Sequence, residues 1–242
     1  MYTIKQMNKW DYSTAWQFFT NNAVNRYIPE TELYLRSLKI TKTIDLRYDK
    51  GAREKILESL KPRTLILIDG ASINGKSTFA GRLARNIGAE VVDIDIICKE
   101  WMDEQLKNKN CYEKQLFMLK ADQLTDVYVL ENLEKIIRKK SNNTVILVGS
   151  YLEVIYRSII SKTLGKYFEQ VISIYCCSKG FKDLKMMLEK RESQMGEYGE
   201  MRQRIFSEYD YSKRLLKNDG IVLGIGMDAS FIADISVSDM FV

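Results

Sequence analysis

The chain has 242 residues, of which 45% are apolar and 29% charged, and its formal net charge is +5. It is long enough to bury a core and too apolar for a disordered polypeptide, and 13 Gly with 2 Pro exclude collagen-like and linker-rich designs. Histidine is absent, so imidazole acid–base chemistry, His-based triads and His metal ligands are excluded, and catalysis is left to carboxylates, Lys, Arg, hydroxyls and amides.

In chain order, the N-terminal MYTIKQMNKWDYS has no apolar signal core, and no apolar run approaches a membrane span. The expectation is a soluble, cytoplasmic protein. Three short amphipathic helices are predicted over 11–22, 30–38 and 51–60. Pro29 followed by Glu-Thr-Glu is a helix start, with φ pre-set and acids at the positive end of the dipole. Trp10, Trp16, Phe18 and Phe19 crowd the first of these. They read as a stripe packed on the main domain, or as an aromatic surface for a partner. Residues 1–62 are therefore expected to form a helical N-terminal extension to a domain over 63–242.

After Pro62 the texture changes. TLILI (64–68), EVVDI (90–94), TVILV (144–148) and VISIYCC (171–177) have the length of strands, and Ile235 to Val237 is a candidate last one. Three of them are nearly continuous apolar runs, as strands covered on both faces should be. Helical patterns lie between and after them at 77–87, 112–140, 151–164, 181–194 and 201–216. Such alternation predicts an α/β fold with a mostly parallel sheet and right-handed crossovers.

Cys98, Cys111, Cys176 and Cys177 show no C-x-x-C spacing, and without histidine a structural zinc site is not expected. They read as reduced thiols. Lys and Arg are spread along the chain among 32 acids, the pattern of a solvated mixed-charge surface rather than a nucleic-acid face.

The strongest signal follows the first apolar strand: Asp69-Gly70-Ala71-Ser72-Ile73-Asn74-Gly75-Lys76-Ser77-Thr78. Gly70, Gly75, Lys76 and Ser77 satisfy G-x-x-x-x-G-K-[ST] without substitution. The glycines let the chain wrap a phosphate, successive amides form an anion nest, and the next helix adds its positive end. Lys76 would reach the β and γ phosphates and the Ser77 hydroxyl would ligate Mg²⁺. A helix with Phe79, Ala80, Leu83, Ala84 and Ile87 on one face follows, and Gly88 stands at its C-terminal stop. Strand, loop and helix together predict a P-loop three-layer fold with a five-stranded sheet. They also predict a triphosphate bound by residues 70–78.

The second strand ends Asp93-Ile94-Asp95. Strand ends of a parallel sheet line the binding crevice. A carboxylate there could accept the proton of an attacking hydroxyl or hold Mg²⁺. Two residues apart, Asp93 and Asp95 would share a face if the strand continued, and Asp95 is the better placed to clear the sheet edge. An acid at this point could instead simply cap the next helix. Further on, LEKRESQMGEYGEMRQR (188–204) places two helices around a hinge with Gly196 and Gly199. Arg191, Arg202 and Arg204 are candidates for a basic lid over the phosphates, or are surface arginines of an ordinary hairpin.

GASINGKST after one strand, DID after the next, VILVGSYL, VISIYCC and LEKRE follow, in this order, the pattern of the uridine kinase-like family. Over about 63–240 the chain resembles that family, within the wider P-loop nucleoside and nucleotide kinases. The resemblance implies ATP and Mg²⁺ as cofactors and a small-molecule hydroxyl as phosphate acceptor. It implies Lys76 and Ser77 on the nucleotide and metal, Asp95 as base and second metal contact, and Arg191 with Arg202 as lid groups. It also implies an acceptor base held between aromatics such as Trp101, Tyr112 and Phe117, which otherwise read as core. Where that family ends its third strand with an acid-glycine pair, this chain has Val148-Gly149. After Asp95 it reads Ile96-Ile97-Cys98 instead of Phe-Tyr, and its lid has fewer arginines.

The expectation is an ATP-dependent phosphotransferase acting on a nucleoside or nucleotide. Two alternatives stand beside it. The acceptor could be a non-nucleoside, as for chloramphenicol-type phosphotransferases and zeta-toxin-like kinases. Or the chain could be a nucleotide-binding regulatory module with little turnover. No guanine-reading N-K-x-D is evident, which favours ATP over GTP. A homo-oligomer stays open.

Overall fold

Thr64–Asp69 is buried at every residue, as a strand covered on both faces requires, and the sheet extends outward from it on either side. The computed structural model describes residues 43–47, 51–110, 113, 132–149, 160–161, 164–196, 199, 201–218 and 227–235. The helices expected over 11–22 and 30–38, Tyr112, Phe117, Cys111 and most of 151–164 lie outside them. Six strands are present: β1 (Thr43–Asp45), β2 (Thr64–Asp69), β3 (Glu90–Asp93), β4 (Val145–Val148), β5 (Gln170–Ser178) and β6 (Ala229–Ile235). They lie in the order β1-β6-β5-β2-β4-β3, and every neighbouring pair is parallel. The α/β fold of the P-loop type is thus found, with one strand more than expected.

Five helices are bounded within the described residues: α1 (Ala52–Glu58), α2 (Lys76–Ile87), α3 (Ile94–Leu106), α4 (Phe181–Met195) and α5 (Met201–Asn218). Residues 132–140 are also helical. Ile56 of α1 and Ala80, Leu83 and Ala84 of α2 meet Ile66, Ile68, Ile146, Ile172, Ile174 and Phe231 of the sheet in one core cluster. A smaller cluster joins Tyr175, Cys177 and Ile232 to Leu216 of α5. Alternate residues of β5, Cys176 and Cys177, enter different clusters, so the sheet is buried from both sides. No helix among the described residues is long and apolar enough to cross a membrane. Cys98, Cys176 and Cys177 are buried, and burial pushes the Cys177 thiol up to about 12, which keeps it an inert core group.

Three boundaries differ from the sequence expectation. Thr43, Ile44 and Asp45 pair with Ser230, Phe231 and Ile232, and Leu46 and Ile56 join the main core. Residues 43–58 therefore belong to the sheet and its cover, across the boundary expected at 62; a three-residue strand is too short to show a period. β6 occupies 229–235 rather than 235–237. Asp228 both donates its amide to Val171 and accepts that residue's amide on Oδ2, at 2.8 and 2.7 Å, which starts the ladder early. β3 stops at Asp93 and does not carry on to Ile94, because Asp93 turns the chain directly into α3.

Candidate active site

The strand order places the site. β2 and β3 both neighbour β4, while β5 lies on the other side of β2, so the chain reverses direction across the sheet beside the C-terminal end of β2. Crevices in parallel α/β sheets open at such points. The 70–75 loop leaves β2 there. Gly70 is at φ +143, and a Cβ on it would stand 2.1 Å from the Cys176 carbonyl oxygen, so only glycine lets the loop press against β5. Gly75 is left-handed at φ 73 and ends the loop as the N-cap of α2.

The positive end of α2 is left open. Phe79 N–H is bonded to the Gly75 carbonyl, no side chain caps the helix, and its first turn holds no acid. By contrast α1, α3 and α4 each carry an acid in the first turn. The leading amides of a helix have no partner within it, and an anion is the partner they and the dipole favour. Lys76 is only 8% exposed, and its ammonium donates to the Ala71 carbonyl at 3.0 Å. A buried cation whose bond goes to a neutral carbonyl is a charge in want of an anion. These residues fit a nucleotide's phosphate tail.

On the far side of the crevice, Asp93 caps α3: its Oδ1 accepts from the amides of Asp95 and Ile96 at 2.9 and 3.4 Å. The Ser77 hydroxyl donates to Asp93 Oδ2 at 3.4 Å. Asp95 sits in the first turn of α3, not on the strand, so the two acids do not share a strand face as expected. Its Oδ1 is 3.6 Å from where a Cβ of Gly149 would stand, beside the end of β4. The same Cβ would be 2.9 Å from Ile94 Cβ, so glycine at 149 is what lets α3 begin so close to β4. Asp95 thus brings a carboxylate beside the end of β4, where the chain itself has Val148-Gly149. Ser77, Asp93 and Asp95 offer the hard oxygen donors that suit Mg²⁺, which takes few protein ligands and shares the rest with phosphates and water. Among the described residues no group of three or more Cys, Asp or Glu converges to hold a metal by itself.

The Asp93 carboxyl lies above the usual carboxylate range, first because burial penalises its charge and then because Asp95 stands close. Its bonds from Ile96, Asp95 and Ser77 pull the other way and do not win. Charging this group therefore costs the folded state stability at neutral pH, and the cost fades as pH falls through the raised value. Asp93→Asn keeps the cap oxygen and removes the charge. It is expected to raise Tm at pH 7 by about 1–3 °C, with the gain fading as pH falls through the raised value, in thermal unfolding without ligand. A fall in Tm at pH 7 would mean that the attraction of the charge to the amides at the start of α3 outweighs its desolvation.

The lid candidates are placed differently from the loop. Arg191 is exposed on α4. Arg202 donates from Nη2 to Glu192 Oε2 at 2.6 Å, an ion pair across the turn between α4 and α5. Gly196 and Gly199 stand between the two helices at φ 92 and 51. The Arg204 side chain lies outside the described residues. Trp101 is half-buried on α3.

Some residues that shape the site gave little sign in the sequence. Asp69 Oδ1 accepts the Gly70 amide at 2.7 Å. Asn74, 1% exposed, accepts on Oδ1 from the amide and hydroxyl of Ser178 and donates from Nδ2 to the Ser72 carbonyl. Its side chain is a strut between loop and β5. Asp-Gly at a strand end was a usable signal for the first. Nothing local announces a partner 104 residues away for the second.

No protein-family model and no curated protein sequence matches the chain. Solved structures do superpose on it. A structure from the PezAT chromosomal toxin–antitoxin system of Streptococcus pneumoniae is 15% identical, covering 87% of this chain and 78% of that one, with a TM-score of 0.47. A shikimate kinase from Bacteroides thetaiotaomicron is 16% identical, over 73% of this chain and 91% of its own, with a TM-score of 0.41. A sugar kinase from a Janibacter species is also 16% identical, over 72% and 86%, with a TM-score of 0.42.

Proposed function

We propose that this protein is an ATP- and Mg²⁺-dependent phosphotransferase that moves a γ-phosphoryl group to a hydroxyl of a small molecule, a nucleoside or nucleotide being the acceptor class. The observation that carries the reading is the open, uncapped start of α2, which holds the buried Lys76 and, beside it, Ser77 bonded to Asp93, with Asp95 near the end of β4. When bound, Mg²⁺–ATP supplies the transferable phosphoryl group and a metal that spreads its charge. The chain's part is to bind, orient and move one proton. The amides at the start of α2 and Lys76 hold the phosphate tail, the loop amides of Gly70, Ser72 and Asn74 being bonded to Asp69, Glu208 and Ala71. Ser77 and Asp93 hold the metal side. Asp95 accepts the proton of the acceptor hydroxyl, a role open to a carboxylate that reaches it directly or through one water. Arg191 and Arg202 neutralise charge on the equatorial oxygens, and for Arg202 that requires leaving Glu192.

The test is transfer itself. The protein is incubated with Mg²⁺ and ATP labelled in the γ-phosphate, together with pooled nucleosides, nucleotides, antibiotics and sugar-nucleotide alcohols. Label in a nucleoside or nucleotide is the expected result. Label in another alcohol keeps the reaction and changes the acceptor. Tight binding with no labelled acceptor overturns the phosphotransferase reading in favour of a nucleotide-binding module.

A further inference from the structure

The α4–α5 hairpin grips the loop at two successive residues. The amide of Ser72 donates to Glu208 Oε2 of α5 at 3.1 Å, a charge-assisted bond across 136 residues. The next residue, Ile73, is at φ 62, in the left-handed region where a β-branched side chain is an outlier. Its side chain packs against the cluster of Leu184, Leu188, Ile205 and Tyr209 that joins the two helices. The following residue, Asn74, is tied to Ser178. α5 is itself fixed to β5: Tyr175 and Ser212 share a hydrogen bond at 2.8 Å, and Lys213 donates to the Ser178 carbonyl at 2.7 Å. A disfavoured backbone conformation persists only where its surroundings over-determine it. Here the amide before it and the side chain on it are both held by the hairpin.

We infer that Glu208 is a positioning residue for the triphosphate. It holds the crest of the 70–75 loop in its left-handed turn, and so sets the aim of the amides beyond it. The inference rests on the reading of that loop as the phosphate site. It also makes the hairpin part of the binding surface, so that any shift of α5 is felt by the loop.

Two measurements on the full chain test it: calorimetric binding of Mg²⁺ with a non-hydrolysable ATP analogue, and amide hydrogen exchange over 71–75 without nucleotide. Glu208→Ala should raise Kd about tenfold, as loss of a charged hydrogen bond does, and should speed exchange in the loop. Glu208→Gln keeps an oxygen that can accept the Ser72 amide, and should bring Kd back to within about threefold of the parent. Ile73→Gly removes the penalty at φ 62, so in that background Glu208→Ala should cost about threefold or less. Unchanged Kd and exchange in Glu208→Ala overturn the inference. So does Glu208→Gln binding tighter than the parent, which makes the carboxylate a rival of the phosphate. If the parent takes up no nucleotide and Glu208→Ala still speeds exchange, the brace is structural alone and the role toward triphosphate falls with the site reading. If neither effect appears, the brace fails as well.

Discussion

Lys76→Met is expected to abolish measurable uptake of Mg²⁺–ATP and to lower any turnover by about 10²–10³-fold or more, the scale seen when one preorganised charge is taken from a reacting oxygen. The side chain is buried, and its ammonium donates to the Ala71 carbonyl, so the substitution removes a charge without opening a large void. Methionine has nearly the same length and volume, and replacing a desolvated ammonium by an apolar group is neutral to mildly stabilising. Tm should therefore hold or rise while binding is lost. That opposite movement separates a lost anion site from a damaged fold. Calorimetry with the nucleotide and thermal unfolding without it make the comparison. If uptake survives in a folded Lys76→Met protein, the loop does not grip a triphosphate through this residue and the central reading falls.

Asp95→Asn should behave differently. Turnover is expected to drop by about 10²–10⁴-fold while nucleotide affinity stays within about threefold, because proton transfer is lost and the phosphate cradle is not touched. Position is the reason for naming Asp95 over Asp93. Asp93 caps α3 and is bonded to Ser77, whereas Asp95, two residues on in the first turn of α3, stands beside Gly149 and the end of β4. A kcat and KM measurement with the acceptor found in the transfer screen separates the two acids. Near-parent turnover in Asp95→Asn would remove it from the mechanism.

Much of this was legible because the physics is local. The apolar run 64–69, the two glycines, Lys76 and Ser77, and the amphipathic start of α2 lie within about 25 residues, and each needs only its neighbours to be recognised. α4 and α5 were likewise readable from their periods, and Gly196 from the turn between them. What escaped depends on distance along the chain. β1 is three residues long and exists as a strand only because β6 offers it an edge 187 residues later. The end of β3 was misplaced by one residue because EVVDI reads as a strand until Asp93 is seen to cap α3. That single shift moved Asp95 from a strand to a helix. Arg202 carried the signature of a lid group, and nothing nearby in the sequence says that Glu192 would hold it. Glu208 looked like any acid on the polar face of a helix.

The outermost strand has a bearing on how the molecule is made. During synthesis Thr43–Asp45 emerges long before the Ala229–Ile235 segment on which it must dock, and among the described residues it pairs with no other strand. It has to wait for this partner until Ala229–Ile235 has left the ribosome, and long-range pairings of this kind are slow. Until it arrives, the last strand, with Phe231 and Ile232 at its centre, has a raw margin that another molecule could annex. Trimming the gene to begin at residue 63 would make that temporary hazard permanent.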